Sequence, residues 1–427
     1  MRTHHLGSLV ALLLLLNSTR ADDEVRLFQD APNSHVWFSS EYLLWWFKQA
    51  PVPVPLVTSA SLLDPLPGAI GQPHTSVSIG DHSVGGQPDS GGRFSVGTWL
   101  DSNSSIGVEA SYLFMASQFT RASVATSGQP GSPNVAVPFF DPSGIAGLKG
   151  IPGETIFILP GPLPSPIPSF QGLFKLDNEI QMNSGELNSI WAIGRSRNLQ
   201  FDGVCGFRWL EVAENLTLTG QTSTIQGASP GFYNFFDRFD TQNNFFGGQL
   251  GFRARCQFDR FLIVAGARVA LGDSHQSAQL NGAGQTSSGN LFLSTSGTSN
   301  QVMPGGIFVQ PTNIGHYNQD VFAVVPEGKL ELSYRLTSHI CLTLCYTFLY
   351  DSSVARPGDQ IDRQVNITRT ALADLSRSTV GVGSGPVEIG QQPGRSPLPF
   401  GPDNPLFHFN DSGFWAQGIN IGMTVQF

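Results

Sequence analysis

The last thirteen residues limit the fold more than any other part of the chain. From Trp415 to Phe427 the sequence alternates without a break: Trp415, Gln417, Ile419, Ile421, Met423, Val425 and Phe427 hold one parity, Ala416, Gly418, Asn420, Gly422, Thr424 and Gln426 the other. In an extended strand residues of equal parity share a face, so this segment has one greasy, aromatic-bounded face and one small or polar face. Nine earlier segments repeat the pattern, near 36–46, 94–100, 106–114, 187–195, 199–209, 246–257, 261–271, 322–336 and 340–350. The first sets Val36, Phe38, Tyr42, Leu44 and Trp46 against Ser39, Glu41 and Leu43.

Charge follows parity. Glu41, Arg93, Glu109, Asp202, Arg208, Arg253, Arg255, Arg268, Glu327, Lys329, Glu331 and Arg335 all fall on the face opposite the apolar one. A soluble two-sheet sandwich would turn its apolar faces inward and its charges out. In a closed transmembrane barrel the order reverses, because a lysine or arginine facing lipid at the midplane costs roughly 2–4 kcal/mol. Alternation alone does not say which face meets lipid, but the terminal strand, an N-terminal export leader and aromatic strand ends such as Trp45, Trp46, Tyr350 and Trp415, which suggest an interfacial belt, point to the barrel. The expected fold is therefore an all-β, antiparallel transmembrane β-barrel of about ten strands. The charged residues above would line its lumen.

The connections agree with this reading. Short links (102–105, 196–198, 258–260, 337–339) alternate with long ones near 48–91, 118–185, 213–241, 274–318 and 352–412. Such alternation is that of short periplasmic turns and long extracellular loops. A strand pair inside one long loop would raise the count to twelve. Residues 1–21 read as a signal peptide, with Arg2, His4 and His5 before the apolar run Leu9–Leu16 and a small-residue site at Ala21. A short periplasmic segment, 22–35, then precedes a single barrel domain, 36–427. That places the protein in the bacterial outer membrane, since the leader is too short to span and no later stretch reaches the roughly 20 apolar residues a spanning helix needs.

The formal net charge of −9 becomes more negative once Arg2 and Arg20 leave with the leader, which argues against nucleic acid as a partner. Expected partners are outer-membrane lipid, small solutes or surface ligands, and the barrel assembly machinery. A C-terminal strand closing on an aromatic residue, here Phe427, resembles the terminal strand of bacterial outer-membrane barrels, where it serves as an assembly signal. Cys341 and Cys345 share a face about 13 Å apart at ~3.3 Å per residue, too far to bridge, and all four cysteines are expected to be free.

A family resemblance is carried by Glu41-Tyr42-Leu43-Leu44-Trp45-Trp46, Gly206-Phe207-Arg208-Trp209-Leu210, Phe245-Phe246-Gly247-Gly248-Gln249-Leu250-Gly251 and Val269-Ala270-Leu271-Gly272. It continues through Val324-Val325-Pro326-Glu327, Val354-Ala355-Arg356-Pro357-Gly358-Asp359-Gln360-Ile361-Asp362 and Trp415-Ala416-Gln417-Gly418. On these residues the chain resembles the beta-barrel porin family numbered seven, a group of bacterial outer-membrane barrels of largely uncharacterised role. The resemblance implies an outer-membrane barrel and, by the family's name, a pore.

No residue set points to catalysis, a cofactor or a metal. His275, His316, His339 and His408 fall in expected loops or turns, with neither a Gly-x-Ser-x-Gly elbow nor a His-Glu-x-x-His pair. The glycine-rich stretch 381–385 lacks the strand-to-helix setting of a phosphate cradle. Arg356, Asp359 and Asp362 could form a binding element at the barrel mouth, but a Pro-Gly turn that fixes how the strand enters its loop, with arginine and aspartate bonding the backbone, is the preferred reading. Two functions follow. In the first, Arg208, Arg253, Arg255 and Arg268 bias a narrow or partly plugged pore toward anions. In the second, a non-conducting barrel anchors loops that meet surface partners. Barrel width leans toward a closed lumen, because roughly eight strands leave room only for side chains and water-filled channels are typical at about 16–18.

Overall fold

A computed structural model describes residues 35–144, 151–165, 167–196, 198–225, 231–286, 301–370 and 399–427. The expected signal peptide, nearly all of segment 22–35, and the 381–385 stretch lie outside them. Ten strands form the ring: β1 (Val36–Phe47), β2 (Asp89–Trp99), β3 (Ile106–Met115), β4 (Phe170–Arg195), β5 (Leu199–Thr224), β6 (Phe232–Phe258), β7 (Phe261–Thr286), β8 (Gly315–Arg335), β9 (Ile340–Ala355) and β10 (Asp411–Gln426). Each pairs antiparallel with its neighbours, and β1 closes on β10 in an unbroken register from Trp37 opposite Gln426 to Phe47 opposite Ala416. Phe427 completes the seam, its N–H donating to the Val36 carbonyl at 2.9 Å. The protein is an antiparallel transmembrane β-barrel of ten strands.

The outward face carries an apolar band. Phe207, Phe246, Leu250, Phe252, Leu271, Phe322, Leu330 and Ile421 are all exposed there. On β7 the band runs from Phe261 to Leu271, which at ~3.4 Å per residue and a tilt near 45° spans about 25 Å, the height of a lipid-facing belt. Tyr350, Trp46 and Trp415 sit outward near its loop end. Trp45 does not: it points into the lumen, fully buried, and donates to Asn420 Oδ1 at 2.7 Å.

Strands β4 to β8 extend far beyond the band. Residues 170–185, 213–224, 232–241, 274–286 and 315–318 continue these strands, although the sequence reading assigns them to loops. Above the band the sorting of faces inverts. Outward positions become polar (Lys175, Asp177, Glu179, Thr217, Arg238, Gln279), and inward positions become apolar (Phe174, Leu176, Leu216, Leu218, Phe239, Leu280). A search for lipid-like outward faces stops where the lipid stops. The extra strand length forms a collar, joined on its edges by strands Gln118–Thr126 and Gln301–Pro304. Neither enters the ring, so the count stays at ten.

The collar is filled. A three-stranded sheet of Pro55–Ala60, Ser76–Gly80 and Asn134–Ala136 and a hairpin of Pro138–Asp141 with Gly153–Ile156 come from the loops. Their side chains Leu56, Val57, Ile79, Val135 and Phe139 form one core with Phe174, Leu216, Leu218, Tyr233, Phe235 and Phe239 of the collar wall. Burying each such side chain contributes roughly 1.5–3 kcal/mol, so the plug is held as firmly as a domain core.

Candidate functional site

The inward faces of β1 to β8 bring the charges together near the short-turn end of the lumen. Arg208, fully buried, donates to Glu186 at 2.7 Å and also to Glu327. Glu186 takes a second cation, Arg268, and accepts from Gln249 Nε2 at 3.1 Å. Arg253 lies 3.6 Å from Glu109 and 3.3 Å from Asp202, while Arg255 reaches Asp202 at 2.8 Å. On the far side Lys329 joins Glu41 at 3.0 Å and Glu331 at 3.1 Å, and Arg93 stands 3.9 Å from Glu41. Arg208–Glu327 links β5 to β8 and Lys329–Glu41 links β8 to β1, so the network crosses the lumen rather than coating it.

Six carboxylates (Glu41, Glu109, Glu186, Asp202, Glu327, Glu331) face six cations (Arg93, Arg208, Arg253, Arg255, Arg268, Lys329) in this lattice. Arg335 lies nearer the turn, also inward. A cavity of about 180 Å³ opens beneath the lattice, lined among others by Trp37, Trp99, Arg253, Arg255, Lys329 and Glu331. Arg255 lies over the Trp99 ring at 5.7 Å, a cation–π contact that fixes it against the wall.

Toward the loop end an apolar layer follows. Leu43, Trp45, Leu113, Met115, Met182, Leu210, Val212, Phe245, Val325, Leu349 and Phe414 point inward and pack as one cluster. Above it Arg356 crosses the lumen from the end of β9 to Glu214 on β5. The pair is bidentate, with Nη2 to Oε1 at 2.6 Å and Nε to Oε2, and both side chains are fully buried. Arg356 also donates to the Lys48 carbonyl at 3.3 Å and stacks 5.2 Å over Phe414. Asn243 grips the same strap, accepting from the Ala355 N–H at 2.8 Å and donating to its carbonyl at 3.0 Å. Gly358 in the following turn lies so close to Pro51 that a Cβ would stand 1.8 Å from the Pro51 carbonyl oxygen.

Arg356 forms no ion pair with Asp359 or Asp362. Arg356 is committed to Glu214, Asp359 accepts from the Ser412 hydroxyl at 3.3 Å, and Asp362 accepts from the Leu406 N–H at 2.9 Å and Asn404 Nδ2 at 3.1 Å. The motif fastens strap to wall and to the segment before β10, with Arg356 held chiefly by the Glu214 side chain rather than by backbone. His275 and His316 lie on β7 and β8 rather than in loops, outward and above the apolar band.

Sequence reasoning missed Glu186, Glu214 and Asn243. Glu186 sits one residue before the expected start of the fourth strand, in parity with Asn188 and Ile190. That parity was the available signal. Glu214 and Asn243 lie where the outward face has already turned polar. All four cysteines are free, Cys345 buried in the lumen. Among the described residues no group of three His, Cys, Asp or Glu side chains is arranged to hold a metal.

Asp237, on β6 well above the apolar band, anchors the plug differently. Its buried carboxylate accepts from the N–H groups of Ile307, Phe308 and Val309 at 2.9–3.0 Å. Burial pushes this carboxyl up to about 6, against the opposing pull of those donors. Its value in the plug thus exceeds that of an open, hydrated loop, and closure is favoured by protonation. The contribution is complete below about pH 4 and fades as pH rises through about 6, a change of roughly 3 kcal/mol. Hydrogen exchange of the three amides, corrected for intrinsic rates, should show protection falling across that window, and a flat profile would refute the coupling.

Comparison with known proteins bears on identity. A model of the family described as "Putative beta barrel porin-7 (BBP7)" matches residues 37–381. The chain belongs to this family. No curated protein matches it. Among solved structures, it is similar to the outer membrane protease OmpT from Escherichia coli, with TM-score 0.39 and 8% identity, covering 94% of this chain and 99% of that one. A Pseudomonas aeruginosa FadL homologue follows at TM-score 0.21 and 6% identity, covering 94% and 95%. The Ralstonia pickettii toluene transporter TbuX matches at TM-score 0.20 and 7% identity, covering 95% and 92%. Likenesses this distant carry no argument about activity. For this BBP7 member the ring closure is read from its own strand pairing.

Proposed function

We propose that this family member is a closed, non-catalytic barrel of the bacterial outer membrane that anchors a rigid, filled β-collar at the cell surface. One observation carries the reading: three successive barriers cross the lumen. They are the charge lattice around Arg208, the apolar layer around Phe245 and Phe414, and the buried Arg356–Glu214 pair beneath the plug. A hydrated ion entering the middle layer would exchange most of its water for a mainly apolar lining, in which Ser184, Ser274 and Asp351 are the inward polar neighbours of Leu210, Phe245 and Phe414, and that exchange costs well above thermal energy. The four arginines that could favour anions are each held by carboxylates, so they offer an anion no net field. The short-turn cavity ends at the lattice.

Planar-bilayer recording of the refolded protein is the test. We expect no steady conductance above the lipid baseline. A steady current whose anion preference falls when Arg253 or Arg268 is changed to alanine would instead establish the diffusion-pore reading.

A further inference from the structure

We propose that the outward face of the collar binds the neutral sugar headgroup of a glycolipid in the outer leaflet. This rests on the outer-membrane placement and is independent of whether the lumen conducts. The apolar band on β5 to β8 ends abruptly at Trp209, Phe246, Leu271 and Phe322, and the next outward residues are Glu211, Asn244, Asp273 and Asp320. A lipid whose chains lie on that band must set its headgroup against what stands directly above.

The wall above is tall and mainly polar. About twelve further residues per strand on β4 to β7, at ~3.4 Å each and tilted near 45°, rise on the order of 30 Å, far more than a phosphate headgroup and comparable with an oligosaccharide. Besides Lys175, Arg238, Leu173 and Phe236, its outward side chains are mostly amides, hydroxyls and carboxylates, donors and acceptors of the kind that sugar hydroxyls satisfy. A shallow groove there is bordered by Gln181, Glu211, Gln242, Ser277, Gln279 and His316. Charge narrows the ligand. The carboxylates Glu179, Glu211, Asp240 and Asp320 outnumber the cations, and Arg238 is tied to Asp240 at 2.8 Å, so a bare phosphate is repelled where a neutral sugar is not.

The test uses the full chain refolded in detergent and two probes, an oligoglycosyl diacylglycerol with an uncharged headgroup and the diacylglycerol with the same acyl chains and no sugar. Retention is read by native mass spectrometry. The wild type should retain the sugar-bearing form about tenfold better, the effect of one or two net hydrogen bonds. The triple variant Gln181→Ala, Gln242→Ala, Ser277→Ala should lose that preference while keeping heat-modifiable migration, which reports an intact barrel. Equal retention of the two lipids by the wild type overturns the proposal, as does a preference that the triple variant leaves unchanged. The free neutral oligosaccharide binding as well as the intact glycolipid would also overturn it, by marking a site for soluble polysaccharide.

Discussion

Replacing Arg356 with alanine should cost the folded barrel about 3–5 kcal/mol, because it leaves Glu214 buried without its cation. Both members of the pair are fully buried, and Arg356 joins β9, β5, the Lys48 carbonyl and the Phe414 ring in one cross-section of the lumen. Equilibrium unfolding in lipid vesicles would measure the loss. The double change Arg356→Met with Glu214→Leu should recover most of it, since an apolar pair of similar volume carries no desolvation penalty. Protease sensitivity of the outer loops should rise in the single variant, as the strap from Ala355 to Gln360 is pinned at that point. A loss below about 1 kcal/mol, the range of an exposed ion pair, would mean that water reaches Glu214 and the upper barrier is absent.

An effect of the same size, about 3–5 kcal/mol, is expected for Arg208→Leu, by a different route. Arg208 stands between Glu186 and Glu327 and has no exposed surface. Without it Glu186 keeps Arg268, but Glu327 loses its paired cation and is left beside another carboxylate. Arg208→Lys should restore only part of the loss, since a single ammonium lacks the planar fork that serves two carboxylates at once. Replacing Arg208, Glu186 and Glu327 together by apolar residues should cost less than Arg208→Leu alone. Unfolding measured at low and high salt separates the cases further: a sealed lattice is insensitive to salt, whereas a water-filled lumen would screen it.

The membrane-spanning half was legible because lipid imposes a rule on every outward side chain. Parity alone placed Glu41, Arg93, Glu109, Asp202, Arg208, Arg253, Arg255, Arg268, Glu327, Lys329 and Glu331 inward, and the structure brings them into one lattice. The collar was illegible under the same rule. From Gln171 to Asn183 on β4 the alternation persists, but its polar face looks outward and its apolar face inward. Trp45 shows the same limit at one residue: an aromatic at a strand end suggested the interfacial belt, whereas its odd parity, shared with Leu43 and Glu41, sends it inward. Which charge pairs with which was beyond any local pattern. Arg356 and Glu214 are 142 residues apart in sequence and meet only because a loop residue reaches across a closed ring.

A residue-by-residue spin-label scan along β5, from Leu199 to Thr224, tests the central claim most directly. With protein in vesicles, odd positions from 199 to 209 should be relaxed by oxygen from the lipid, and odd positions from 211 to 223 by a water-soluble metal complex. Even positions from 204 to 218 should respond to neither, since they face packed lattice, apolar layer and plug. Water-soluble relaxation running continuously through those even positions would reveal an open channel and contradict the sealed barrel.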